Sequence, residues 1–115
     1  MIVLTPSGGT SIHDVVLFVT PLQGGEFAVF LTAQGLQPGG TYLIEGFSSG
    51  TRTNVGPLSS SLADSGFTAD SQGNGVYSHV FAVDPRTAYN VVLLLYLPNN
   101  QIEGAVLVAT GTTSG

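Results

Sequence analysis

Tyr89-Asn90-Val91-Val92-Leu93-Leu94-Leu95-Tyr96-Leu97, or YNVVLLLYL, is the longest apolar stretch of the 115-residue chain. As a strand it sets Tyr89, Val91, Leu93, Leu95 and Leu97 on one face and Asn90, Val92, Leu94 and Tyr96 on the other. Side chains alternate across a strand, so a strand with one wet face reads apolar-polar-apolar. This one is apolar on both sides over most of its length, and both faces need cover. The run is far shorter than the roughly 20 residues of a transmembrane helix, so no such helix is expected.

Working outward, the same double-sided pattern recurs. His13 to Thr20 (HDVVLFVT) opposes Val15, Leu17 and Val19 to Val16 and Phe18. Glu26 to Ala33 (EFAVFLTA) opposes Phe27, Val29, Leu31 and Ala33 to Ala28, Phe30 and Thr32. Ile102 to Thr110 (IEGAVLVAT) opposes Ile102, Val106 and Val108 to Ala105, Leu107 and Ala109. Further short strands are expected at Ile2 to Thr5, Thr41 to Phe47, near Thr51 to Val55, at Gly66 to Ala69 and at Val76 to Val83. Turn residues punctuate them: PSGG, GLQPGG, DSQGNG, DPR and PNNQ. DSQGNG reads as a hairpin turn, with Asn74-Gly75 for the positive φ that such turns demand and Val76 to Val83 pairing back on the strand before it. No window carries a 3.6-residue period with caps. Seven or eight strands at this spacing predict an all-β fold, a two-sheet antiparallel sandwich of immunoglobulin-like or jelly-roll order. The expected organisation is an N-terminal arm or exchangeable strand over residues 1–9, one sandwich domain over 10–110 and a flexible tail over 111–115.

Charged residues make up 8 % of the chain, against roughly 25 % in a typical globular protein. There is no lysine; Arg52 and Arg86 face seven acids, for a formal charge of -5. That balance speaks against nucleic acid and against an anionic membrane surface as partners. The 43 % hydrophobic content nevertheless predicts a folded chain. Cysteine is absent, which removes disulfides, thiolate metal sites and Cys nucleophiles. The N-terminal MIVLTPSGG lacks the basic and long apolar regions of a signal peptide. The uncharged Gly/Thr/Ser-rich composition still fits an extracellular or cell-surface β protein, and that is the expected location.

Leu36-Gln37-Pro38-Gly39-Gly40-Thr41-Tyr42 has the spacing L-x-P-G-x-x-Y. It resembles the tyrosine corner of fibronectin type III and related immunoglobulin-like extracellular sandwiches. The resemblance implies that Leu36 plugs the core, Pro38-Gly39 makes the turn and the Tyr42 hydroxyl bonds back to backbone. Gly66 to Gly75 (GFTADSQGNG) resembles the strand-turn of bacterial extracellular sandwich repeats. In fibronectin type III the corner falls late in the domain, whereas here 73 residues follow Tyr42. Jelly-roll and other Greek-key orders therefore stay open. Such families imply adhesion, spacing or assembly rather than catalysis.

No catalytic, cofactor or metal site is expected. His13, Asp14, His79 and the serines lack a nucleophile elbow. His79 reads as a sheet residue beside Tyr77 and Phe81. Asp70 is the sole carboxylate of DSQGNG, too few for an EF-hand, so calcium is not expected there.

A two-layer fold of this length has no third layer to cover a second apolar face. The expected assembly interface is therefore Val16, Phe18, Phe30, Val92, Leu94 and Tyr96, if the opposite sets are core, together with Ile2, Val3 and Leu4 of a lendable N-terminal strand. The competing cover is a closed barrel or a long loop, with Ser48 to Ser65 the obvious lid and Leu58 and Leu62 an apolar hook. The expected function is a structural, self-assembling, homo-oligomeric subunit of a filament, appendage or surface layer. The alternative is a carbohydrate- or protein-binding module of a larger surface protein.

Overall fold

The computed structural model describes residues 1–8, 11–48, 53–57, 66–82, 84–101 and 103–113, with the side chains of 47, 48, 53–57 and 88 left aside. Its strands are β1 (Ile2–Pro6), β2 (His13–Pro21), β3 (Phe27–Gln34), β4 (Thr41–Ser48), β5 (Thr53–Pro57), β6 (Gly66–Thr68), β7 (Gly75–Phe81), β8 (Val91–Leu97) and β9 (Val106–Thr112). The described helical pieces are short: 3-10 turns at Gln23–Gly25 and Pro98–Asn100, and the four-residue α1 (Pro85–Ala88). Asp84 caps α1 by accepting the Arg86 N–H, and Pro85 occupies the first helical position, where its missing N–H costs nothing. The expected turn at this place is thus a single capped helical turn.

All strand pairs among the described residues are antiparallel. The ladder runs β5-β4-β8-β9-β1-β2-β3-β7, and β6 pairs with β4 on the same edge as β5. The path curls until β6 and β7 approach each other, so the sheet nearly closes into a barrel. β1 is the seam of this path. Ile2, Val3 and Leu4 pair with β2, whereas Thr5 and Pro6 pair with β9. The core gathers Ile2, Leu4, Leu17 and Leu31 from one half and Ile44, Val92, Leu94 and Val108 from the other.

Three local features depart from the sequence reading. DSQGNG closes a turn between strands that diverge: β6 leaves for β4 and β7 for β3, so β7 does not pair back on β6. The left-handed residue there is Gly73, at φ 81°, where a Cβ would meet the Leu36 carbonyl at 2.5 Å. In β9 the register steps from Leu94↔Ala109 to Leu95↔Leu107, which leaves Val108 as a bulge. Val108 and Ala109 are consequently both buried, while Val106 and Leu107 are both exposed. Lastly, β9 runs through Gly111 and Thr112, and Thr113 donates to the backbone of Asn90 and Tyr89, where a flexible tail was expected.

The two faces of YNVVLLLYL are now distinct. Val92 and Leu94 point into the core, and Tyr96 packs against it. Across the strand, Leu97 and Leu43, the register neighbour of Leu95, are almost fully buried although they lie outside the main core cluster. Val91, Leu93 and Leu95 are half-buried. The second face of this strand is thus largely covered within one chain. Of the expected lid, Ser48 ends β4 and 53–57 form β5; Leu58, Leu62 and the rest lie outside the described residues.

Candidate assembly interface

The strands β1, β2, β3 and β7 carry the other double-sided sequences. Their inward faces hold Ile2 and Leu4, Val15 and Leu17, Val29 and Leu31, and Tyr77 and Phe81. The outward faces line up by register. Val3 stands beside Val16, Val16 beside Thr32, and Thr32 beside Val76, a row across all four strands. Phe18, Phe30 and Ser78 make the next row, and Thr20, Ala28 and Val80 a third. No charged side chain stands in any of these rows. The Phe18 and Phe30 rings lie 6.4 Å apart at a tilt of 38°. Val3 and Val76 are each 57 % exposed, Val80 48 %, and the two phenylalanines 41 %. A charge-free face of a few hundred Å² is the size of the largest apolar patch on a typical monomer, and such patches often serve binding.

Against the expected interface, Val3, Phe18 and Phe30 are exposed and Val16 is half-buried on this face. Ile2, Leu4, Val92 and Leu94 are not surface residues: each is buried in the core. The β8 assignment is inverted, because Tyr42, Ile44 and Gly46 of β4 pair with Tyr96, Leu94 and Val92 on the inward side. Tyr96 is half-buried against Tyr42, ring centres 5.3 Å apart. The face also includes Val76 and Val80, which the sequence reading did not single out. The signal was available in the alternation of Val76, Ser78 and Val80 against Tyr77, His79 and Phe81.

The tyrosine corner is built at the far end of β3. The Gln37 N–H donates to the Tyr42 hydroxyl at 2.9 Å, and Leu36 is buried in the core. Gly39 takes φ 74° in the turn after Pro38. Burial pushes the Tyr42 phenol above its usual pKa; the Gln37 bond works against this and neighbouring Tyr96 adds to it. Beside the corner lies an open cleft of about 290 Å³ lined by Ser11, Ile12, Gln37, Tyr42, Tyr96 and Val108 among others. None of its lining residues is charged.

The residues weighed for chemistry are dispersed. The His13 ring contacts the Ser11 carbonyl through Nδ1, and His79 packs edge-on to Phe81 at 4.9 Å. The Asp70 carboxylate accepts the Asn74 and Gln72 N–H groups, which hold its pKa below the usual range. Asp84 is likewise held low by Arg86, which it meets through two side-chain bonds of 3.0 and 2.9 Å. Among the described residues no three of His, Asp or Glu gather as a metal site. No helix among them is long and apolar enough to cross a membrane. Comparison with protein-family models and with curated proteins finds no match.

Proposed function

We propose that this chain is a structural β-sandwich subunit that assembles with further copies through the outer face of β1, β2, β3 and β7. The observation that carries this reading is the exposure of Val3, Phe18, Phe30, Val76 and Val80 in charge-free register rows. In this reading the halves β1-β2-β3-β7 and β5-β4-β8-β9-β1 are the two layers of the sandwich, joined through the divided β1. An immunoglobulin-like or jelly-roll description and an extracellular filament or surface layer as the setting belong to the same proposal. Sedimentation of the purified chain across a concentration series tests it. Association that Phe30→Asp abolishes supports the reading; a monomer at millimolar concentration refutes it.

The second reading is a binding module. The uncharged cleft beside Tyr42 and Tyr96 favours it, since phenol, amide and hydroxyl groups suit a neutral polyhydroxyl ligand. Tyr42 is buried, however, so only Tyr96 offers part of a ring face for stacking. A glycan array decides this reading: binding that Tyr96→Ala removes would support it, and a blank array would end it.

A further inference from the structure

We infer that β1 is exchanged between copies, so that the groove between β2 and β9 of one chain is filled by the β1 of another. This rests on the assembly reading and states how the assembly is held. The argument begins with area. Rows of four, three and three residues, at about 4.8 Å between strands and about 6.8 Å between rows, cover roughly 330 Å². Two such faces stacked bury about 650 Å² in total, below the roughly 1,000 Å² that a durable interface needs. The apolar face steers copies together, and a second device must lock them.

The structure identifies that device by identifying its groove. β1 is the sole link between β9 and β2 in the ladder. It fills the gap with two fully buried side chains, Ile2 and Leu4, and is held by three register pairs on one side and two on the other. The groove is therefore shaped for this sequence, and a β1 from a second copy makes identical contacts. Residues 1–12 contain no charged side chain, so the transferred segment buries none. The six residues 7–12 that join β1 to β2 span about 20 Å when extended, enough to reach an adjoining copy. Val3 heads the first row of the exposed face, so in an exchanged pair each copy's Val3 completes the face of the other.

The chain has no cysteine, so an introduced pair can link only to itself. Thr5→Cys with Thr110→Cys places thiols on register partners across the β1–β9 seam. Val3→Cys with Val16→Cys does the same across the β1–β2 seam and serves if the first pair does not close. Face-to-face stacking cannot imitate either link, because stacked sheets lie about 10 Å apart and a disulfide reaches about 7 Å between Cα atoms. The double variants are oxidised in the assembled state, then denatured and run unreduced, beside sedimentation of the same sample. Exchange predicts covalently joined chains at multiples of 11.8 kDa. Disulfides closed within single chains, in a sample that sediments as an assembly, overturn exchange and leave the assembly reading standing. A sample that sediments as a monomer overturns both.

Discussion

Tyr42 ties the end of β3 to the start of β4 through one hydroxyl. Tyr42→Phe leaves the Gln37 N–H without that acceptor in a part-buried place, and the expected cost is roughly 1–3 kcal/mol in urea unfolding. The same residue sets an alkaline limit. Its folded pKa is raised above the ordinary value near 10, so the unfolded chain deprotonates first. Stability from this source is complete below about pH 10 and declines as pH rises through and beyond it; Tyr42→Phe flattens that decline. Asp70 works in the opposite sense. Its folded pKa is lowered by the Asn74 and Gln72 N–H groups, so its contribution is present above about pH 4 and lost as pH falls through the lower folded value. Asp70→Asn is expected to remove that part of the acid limb, measured as the unfolding midpoint between pH 5 and pH 2. The sequence disclosed the corner through its spacing and the turn at Asp70 through its composition. It could not disclose that Gly73 rather than the Asn-Gly pair takes the left-handed conformation, because the Leu36 carbonyl that crowds Gly73 arrives from a distant turn.

Among the elements, β1 carries weight out of proportion to its five residues. Removing residues 1–6 strips Ile2 and Leu4 from the core, a loss of roughly 3–6 kcal/mol at about 1.5–3 kcal/mol per buried side chain. That is comparable to the whole stability of a small domain. The truncated chain is expected to be marginal and to regain its unfolding midpoint when a peptide of residues 1–7 is added. Gly111 tests the same seam from β9. A Cβ there would lie 2.6 Å from the Val3 carbonyl, so Gly111→Ala must push β1 outward, at about 1–3 kcal/mol by calorimetry. The end of β9 is held from its other side, where Gly111 and Thr112 pair with Val92 and Val91 of β8. The β9 bulge is the element that sequence reading could not find. Alternation in Val106-Leu107-Val108-Ala109 implies one period, and the extra residue shifts its phase only where β9 pairs with β8.

For the whole molecule, strand pairing decides where apolar surface is left over. The outer side of β4 and β8 is covered, with Leu43 and Leu97 buried, whereas the outer side of β2 and β3 is open. Phe18→Asp and Phe30→Asp are expected to cost the monomer about 1 kcal/mol of cross-strand pairing and to abolish association in sedimentation. The formal charge of -5 opposes association between like copies. Raising salt from 0.01 to 0.5 M shortens the screening length and is expected to strengthen assembly, the reverse of a salt-bridged interface.

The double-sided strands, the absence of helical periodicity and the turn chemistry determined an all-β fold from the sequence alone. They also led to the expectation that a second apolar face would need cover from a closed barrel, a loop or another copy, because several strands are apolar on both sides. Which face it would be could not be read from YNVVLLLYL. Alternation is symmetric, and a strand with two apolar faces carries no mark of which is inward. Only tertiary pairing breaks that symmetry. Placing Ile44 beside Leu94 turns one face of β8 to the core, and Leu43 and Leu97 are buried on the other, which moves the open surface to Phe18 and Phe30.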